Sequence, residues 1–303
     1  MNLGYACINM ELNARKGDDR VTTNRTMIKK TFHDKGVDYA SELIIQNVVD
    51  LSKIIDWNEQ NNIKFFRMSS DIFPWASEYY QDWDSVPHID FIKMWLENAG
   101  LKAKEYGHRI TSHPGPFNVL VSPNENVVQN TITDLTIHAD IFDFMGLSRT
   151  PYNKLNIHCN GVYGDKQSAL DRFCKNFERL PESVQTRLTV ENDDKASMYS
   201  VKDLYEGIHK RIGIPIVFDY HHYKFNTGEQ TEQEALEMAL STWGDIKPVV
   251  HYSESRSEEQ LDESIKPQAH SDLIKQLPNT YGNDVDIMVE AKHKELAIEG
   301  FIK

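Results

Sequence analysis

The sequence predicts an α/β fold of the (β/α)8 TIM-barrel class. Eight short apolar runs alternate with longer amphipathic segments along its 303 residues, which is the order expected of strands followed by helices. The apolar runs are dense in Ile, Val, Leu and Phe without regular alternation, as in parallel strands buried on both faces. The third to eighth runs carry histidine or carboxylate near their ends, which favours a barrel over a doubly wound open sheet.

The elements follow one another without a break that would divide the chain. The predicted strands are residues 2–8, 63–69, 108–113, 154–159, 187–191, 214–220, 248–253 and 285–290. Apolar residues at three- and four-residue spacing predict helices over 39–60, 124–146, 168–180 and 231–243. Ser41 is the expected N-cap of the first helix, with Glu42 in its first turn, and Gly146 the expected C-cap of the second. No linker separates these elements, so we expect one domain over residues 1–303.

Composition narrows the class of protein. The chain is 40% hydrophobic and 26% charged, it has no apolar run of membrane-spanning length, and its N-terminus lacks the order of a signal peptide. Three cysteines without CxxC spacing argue against a disulfide framework or a zinc ribbon. These features predict a cytoplasmic or nucleoid-associated protein. The net charge of −13 argues against generic affinity for nucleic acid, unless metal ions or a basic rim supply local positive charge.

Side chains of metal-binding type recur where the predicted strands end. In a barrel these ends meet at the C-terminal face, so the side chains would converge on one pocket. The sequence leaves open whether His221 or its neighbour follows Asp219 into that pocket, since adjacent strand residues face opposite ways. The candidate ligands are His113, His158, Glu191, Asp219, His222, His251, His270 and Glu290.

The ligand types constrain both the ions and the chemistry. Imidazole and carboxylate without thiolate suit Mn, Zn, Fe or Co better than Ca or a lone Mg. Eight candidates are too many for one ion, so two or three ions are expected. Such clusters serve phosphodiester hydrolysis and also sugar isomerisation, and the residues alone leave both open.

Several motifs, quoted in chain order, resemble those of one family over nearly the whole chain. They include LGY near the N-terminus, TTNRT at 22–26, SHPG at 112–115, HCNGVYGDK at 158–166, VENDD at 190–194 and VEAK at 289–292. The chain resembles the UV damage endonucleases, metal-dependent repair enzymes that nick DNA immediately 5′ of ultraviolet photoproducts. The family fold is a TIM barrel related to the endonuclease IV and xylose isomerase-like barrels.

The resemblance implies roles for particular residues. It makes all eight candidates metal ligands, selects His222, and gives Glu191, Asp219 and Glu290 catalytic roles. It further implies two or three divalent ions, with Mn²⁺ favoured and Zn²⁺, Co²⁺ or Mg²⁺ as alternatives. The implied partner is damaged double-stranded DNA, bound by a monomer.

The resemblance also implies DNA contacts, and it shows two departures from the family. The implied contacts are Tyr5, Asn9, Arg67, Pro116, Phe117 and Lys292. The lesion probe of the family is a glutamine followed by an aromatic residue, whereas this chain has Pro116 and Phe117. Some members have a modified lysine two residues before the strand-seven histidine, where this chain has Val249, and Lys247 is displaced from that position.

The charged residues of the C-terminal face bear on the binding of DNA. Six basic residues follow strands or lie in loops of the C-terminal face and would form a basic rim: Arg25, Arg67, Lys166, Lys195, Arg256 and Lys292. The acidic excess predicts a DNA-binding constant that depends steeply on salt, and little affinity for undamaged DNA.

Two alternative functions remain. The first alternative is a metal-dependent sugar isomerase or epimerase on the same barrel. The second is a module that binds lesions without cutting, which the intact set of eight ligands disfavours.

Overall fold

The computed structural model describes residues 1–302 and shows a closed parallel barrel. Its strands pair in sequence order, and the first strand pairs with the eighth to complete the ring. This confirms the (β/α)8 prediction and excludes the open doubly wound sheet. The strands are β1 Leu3–Ala6, β2 Phe65–Met68, β3 Arg109–Ser112, β4 Leu155–Ile157, β5 Leu188–Glu191, β6 Ile216–Asp219, β7 Val249–Tyr252 and β8 Asp286–Val289. Each lies within its predicted run.

Helices surround the barrel, and shorter helical turns shape the loops. The α-helices are α1 Met10–Ala14, α2 Lys29–Gln60, α3 Ile89–Glu105, α4 Glu125–Phe144, α5 Lys166–Phe177, α6 Glu182–Gln185, α7 Val201–Leu204, α8 Lys210–Ile212, α9 Tyr220–Tyr223, α10 Glu232–Leu240 and α11 Arg256–Gln260. None of the helices within residues 1–302 combines the length and apolar character needed to cross a membrane.

The predicted start of the first long helix is wrong. Ser41 is not an N-cap, because α2 begins at Lys29 and continues past a break at Gly36, whose φ of 66° is left-handed. Ser41 is buried within the helix, where its hydroxyl donates to the carbonyl of Pro87. The glycine predicted at the end of α4 is confirmed, because Gly146 follows the cap residue Met145 with a left-handed φ of 64°. At the other end Asn124, which was not predicted as a cap, accepts from the N–H of Asn126.

The core has one part between strands and helices and another inside the barrel. Outward-facing strand residues such as Ile216 and Phe218 pack in the first part. The interior contains a small apolar cluster of Ala6, Phe65, Val217, Trp243, Val249 and Met288. Where the strands begin, buried Arg109 ion-pairs with Asp286 across 3.2 Å. Polar side chains therefore reach deep into the barrel, and the layer above this apolar cluster holds the candidate site.

Candidate metal centre

Glu191 lies at the centre of the candidate ligands. It is the last residue of β5, and only 1% of its side chain is exposed. Its Oε2 lies 3.0 Å from Nδ1 of His251 and 3.4 Å from Nε2 of His113. Its Oε1 lies 3.4 Å from Nδ1 of His222 and 3.7 Å from Nε2 of His158. Four strand ends therefore direct imidazoles at one carboxylate.

The turn after β6 decides between the two adjacent histidines. Asp219 caps α9, and its Oδ1 accepts from the N–H of His222 at 2.8 Å. A helical turn places residues three apart on one side, so Asp219 and His222 both face the centre. His221 instead hydrogen-bonds the carbonyl of Gln268 at 3.1 Å and contacts Phe225. The structure thus places His222 beside Glu191, at the position that the resemblance implies.

The remaining candidates lie at two edges of the cluster. Oε1 of Glu290 is 3.1 Å from Nδ1 of His251. His270 lies on the loop after β7, where it bridges to Ser255, and its Nδ1 is 2.7 Å from the Ser253 hydroxyl. Its ring centroid is 6.4 Å from that of His222. Seven candidates therefore form one connected cluster, and His270 borders it.

Two groups within the described residues have donor atoms close enough to share an ion. His113, His158 and Glu191 form one group, and Glu191, Asp219 and His251 form the other, with donor atoms within 4.8 Å of one another. Oε1 of Glu191, Oδ2 of Asp219 and Nδ1 of His251 are buried and make no hydrogen bond. Buried polar atoms normally have partners, so these atoms fit the coordination of cations. The site could hold metal ions, with Glu191 shared between the two groups.

The outer nitrogens of the histidines are held by oxygen atoms. Nδ1 of His113 lies 3.2 Å from the carbonyl of Pro114, and Nδ1 of His222 lies 2.9 Å from the carbonyl of Asn192. Nδ1 of His158 is 3.1 Å from Oδ1 of Asp193. Such contacts orient the rings, and in His113 and His158 they leave Nε2, the nitrogen that faces Glu191, for a metal. The second half of the VENDD motif therefore orients the ligands that its glutamate faces.

The electrostatics keep two carboxylates ionised. Burial would raise the pKa of Glu191, but the charges of His251 and His158, with the close imidazoles of His113 and His222, hold it well below its usual value. Burial likewise opposes the ionised form of Glu290, yet Arg67 and His251 keep its pKa well below the usual value. Both side chains thus offer the charged form that binds cations.

The pKa shifts of three other groups favour the neutral form. Burial, with the neighbouring charges of Glu191 and Glu290, raises the pKa of Asp219. Burial lowers the pKa of His113 to about 4, which favours the neutral imidazole that binds metal. Burial also lowers the pKa of Lys154 to about 7. These shifts are typical of a functional site.

Arg67, for which the resemblance implies a contact with DNA, lies inside the barrel. It projects inward from β2 and forms an ion pair with Glu290, with 13% of each side chain exposed. An arginine on a strand inside the barrel reaches the nearest carboxylate, because an unpaired buried charge is costly. The structure therefore supports a role in balancing the charge of Glu290, and the contact of Arg67 with DNA stays a prediction.

Two further residues beneath the ligands were missed. The amide of Asn156 donates to Oε2 of Glu191, and its Oδ1 accepts from the hydroxyl of Thr189 at 2.7 Å. Nζ of Lys154 lies 3.1 Å from Nε2 of His251. The run KLNIHC carried a signal for both, because Lys154, Asn156 and His158 alternate with apolar residues and so share one face.

The predicted DNA contacts divide into buried and exposed residues. Tyr5 and Asn9 are fully buried: the Tyr5 hydroxyl donates to Asn58 at 2.7 Å and accepts from Asn9 at 3.0 Å. A duplex would reach them only if they became exposed, so their contact stays a prediction. Pro116 and Lys292 are exposed, as predicted for residues that meet a ligand.

Phe117 is an exposed apolar residue on the loop that follows candidate ligand His113, with 66% of the residue exposed. Its ring lies over Gly115, where a Cβ would be only 2.4 Å from the ring. The next residue, buried Asn118, donates to the carbonyl of Gly115 at 3.0 Å and to Asp134 of α4 at 2.7 Å. The loop therefore presents an exposed aromatic ring from an anchored base.

The predicted basic rim is largely paired with carboxylates. Arg25 contacts Asp50 at 2.7 Å, Lys166 contacts Asp203 at 3.0 Å, and Arg256 contacts Asp272 at 3.5 Å. Lys195 and Lys292 are exposed.

Val249 is buried in the apolar interior, and Lys247 pairs with Asp284 and Asp286 where the strands begin. Lys247 is thus remote from the centre, as its displaced position in the sequence predicted.

The fold and this centre agree with a comparison to known families. A model of the family described as UV-endonuclease UvdE matches residues 1–303. The chain belongs to this family. A UV-damage endonuclease of Schizosaccharomyces pombe is 38% identical over 306 residues, which cover 98% of this chain and 49% of that protein. The chain thus spans about half the length of the yeast relative. A UV DNA damage endonuclease of Bacillus cereus is 34% identical over 91% of this chain and 86% of its own length.

Solved structures show the same relationship. The crystal structure of SacUVDE has a TM-score of 0.83 and 32% identity, covering 100% of this chain and 96% of that chain. A D-psicose 3-epimerase from Clostridium cellulolyticum has a TM-score of 0.51 at 11% identity, covering 79% of each chain. The epimerase shares the barrel alone, so the sugar isomerase alternative has only a distant relationship in fold to support it.

Proposed function

We propose that this UvdE-family protein is a metal-dependent endonuclease that nicks DNA immediately 5′ of ultraviolet photoproducts and other distorting lesions. The observation that carries the proposal is Glu191, whose buried carboxylate belongs to both ligand groups at the C-terminal face of the barrel. Membership of the family supplies the substrate class. The protein would act as a monomer on damaged double-stranded DNA, in the cytoplasm or on the nucleoid.

The proposed ligands divide the work of holding two or three ions. Glu191, Asp219 and Glu290 supply negative charge, and the five histidines supply neutral nitrogen. When bound, divalent ions at such ligands activate a water and stabilise the entering and leaving oxygens of a phosphodiester displacement. Glu191 links the two groups and keeps their separation fixed. Mn²⁺ is the first ion to test because it accepts mixed nitrogen and oxygen ligands, with Zn²⁺, Co²⁺ and Mg²⁺ as alternatives.

Recognition of the lesion is assigned to the loop that follows β3. Phe117 can enter a base stack that a photoproduct has already weakened, because unstacking there costs less than in an intact duplex. Pro116 cannot donate the hydrogen bonds of a glutamine, so the lesion range would depend on stacking at Phe117. The exposed amines of Lys195 and Lys292 are available to phosphates.

The test uses a labelled duplex with one cyclobutane pyrimidine dimer. The purified protein in Mn²⁺ should cut the damaged strand at the phosphodiester directly 5′ of the dimer and leave a matched undamaged duplex intact. If the protein cuts only at an abasic site, the substrate is an abasic site and not the proposed photoproduct. Epimerisation of a ketohexose without any DNA cutting would instead favour the sugar enzyme, and binding without cutting under any metal would favour the lesion-binding module.

A further inference from the structure

Lys154 is a fully buried lysine inside the barrel, directly beneath the candidate metal centre. It precedes β4, and its side chain shares the inward face with Asn156 and His158. Its Nζ lies 3.1 Å from Nε2 of His251, which is itself fully buried on β7. A lysine is rarely buried completely, so its place here requires an explanation.

The partner of His251 differs from the partners of the other histidines. In His113, His222 and His270 the nitrogen Nδ1 lies within hydrogen-bond distance of a carbonyl or hydroxyl oxygen, and in His158 it is 3.1 Å from a carboxylate. His251 has the opposite arrangement: its Nε2 meets a lysine, and its Nδ1 faces the carboxylates. Among the five histidines, His251 is thus the one held from below.

The orientation of this ring determines which atoms reach the carboxylates. Nδ1 of His251 lies 3.0 Å from Oε2 of Glu191 and 3.1 Å from Oε1 of Glu290. Below it, Val249 and Met288 belong to the apolar interior and carry no N–H or O–H group that could orient the ring. The directional contact that can fix the ring from this side is therefore the one with Nζ of Lys154. For Nδ1 to hold a cation through its lone pair, Nε2–H must donate to the uncharged amine of Lys154.

We propose that Lys154 is a positioning residue, which holds His251 so that Nδ1 serves the ligand group of Glu191, Asp219 and His251. This inference rests on the proposed metal-dependent function. The group of His113, His158 and Glu191 lacks His251, so its ion does not depend on Lys154. Loss of Lys154 should thus weaken one ion selectively.

The test compares Lys154→Met with Lys154→Gln. Methionine has a similar length and volume without a hydrogen-bonding group, so it keeps the packing and removes the contact. Glutamine keeps a polar end that can reach the ring. The matched control is Lys247→Met, because Lys247 pairs with Asp284 and Asp286 at the other end of the barrel.

Calorimetric titration of the metal-free protein with Mn²⁺ gives the first measurement. Lys154→Met should weaken one binding event by about 10- to 100-fold, as removal of an outer partner of a ligand does, and leave another unchanged. Lys154→Gln should recover part of this loss, and Lys247→Met should bind as wild type. Wild-type binding by Lys154→Met, or equal loss of all binding events, would overturn the proposal.

A second measurement does not require bound metal. Nitrogen NMR of the histidine side chains in the metal-free protein should show a changed His251 signal in Lys154→Met and unchanged signals for His113. An unchanged His251 signal would contradict the positioning role. If Lys154→Met does not fold, the His251 signal of Lys154→Gln is compared with that of the wild type instead. If the wild-type protein binds no Mn²⁺, the proposed function is refuted, but the spectrum of the metal-free protein still tests the contact between Lys154 and His251.

Discussion

At the scale of single residues, buried charges and imidazoles organise the candidate metal centre: four histidines surround Glu191, and Arg67 pairs with Glu290. Strand register shows which side chains face the barrel mouth, and Glu191 and His251 lie there as expected. Register does not fix the direction of a long side chain, so Arg67 was assigned to DNA although it pairs with Glu290. Strand alternation could not separate His222 from His221; the resemblance selects His222, and the turn of α9 explains that choice.

Phe117 yields the first prediction. Phe117→Ala should weaken binding to a duplex with one pyrimidine dimer by roughly tenfold or more, because stacking on an aromatic ring contributes about 1–3 kcal/mol per base. The melting temperature should not change, since the ring is largely exposed. Fluorescence anisotropy with damaged and undamaged duplexes measures the binding. Leu101→Ala, at an exposed apolar residue of α3, is the control, and equal losses in both variants would refute the lesion role.

His108 yields a prediction about pH. Burial lowers its pKa, although Glu59 opposes the shift, and its Nδ1 has no hydrogen-bond partner. The unfolded chain, with an ordinary pKa of about 6.5, then binds the proton more readily, so His108 destabilises the fold as the pH falls below that value. In EDTA, the loss of unfolding free energy between pH 7.5 and pH 5 should be smaller in His108→Gln than in wild type.

The control for that experiment is His33→Gln, because His33 is exposed. Denaturant unfolding of this variant should show the wild-type difference between the two pH values. The same pH difference in His108→Gln as in wild type would contradict the assignment of His108 as a buried neutral residue.

At the scale of elements, apolar periodicity located every strand and the helices α2, α4, α5 and α10 but not their ends, and it missed the 17-residue α3. The run 39–60 repeats every three to four residues, so the polar Ser41 at its edge resembled a cap. The helix continues upstream to Lys29 because the chain resumes helical geometry on both sides of Gly36. The glycine at the end of α4 was predicted correctly, because Gly146 takes the left-handed φ that commonly follows a helix.

Close packing of two helices gives a prediction at this scale. Gly100 of α3 lies so near the end of α4 that a Cβ would be 1.7 Å from the carbonyl oxygen of Met145. Alanine favours a helix over glycine by about 1 kcal/mol, yet a backbone clash must move α3. Gly100→Ala should therefore lower the unfolding free energy by about 1–3 kcal/mol in urea titrations. Gly300→Ala, where no atom lies within 4 Å, should change it little, and greater stability of Gly100→Ala would contradict this contact.

At the scale of the whole molecule, the barrel brings together at one face candidate ligands that the sequence distributes from His113 to Glu290. The order of elements was enough to predict that closure. The polar column beneath the site was not predicted, because the strands were expected to be apolar on both faces. Arg109, Lys154 and Asn156 show that this interior is partly charged and supports the ligands from below.

The proposed function requires a metal centre linked by Glu191 to cut DNA beside a lesion. The most direct measurement compares wild type with Glu191→Gln on a duplex with one cyclobutane dimer, in Mn²⁺ and in EDTA. Wild type should cut 5′ of the dimer only in Mn²⁺, and Glu191→Gln should cut at least about a hundredfold more slowly. Glu237→Gln, on the exposed face of α10, should cut as wild type. Cutting that persists in EDTA, or at the wild-type rate in Glu191→Gln, would contradict the account.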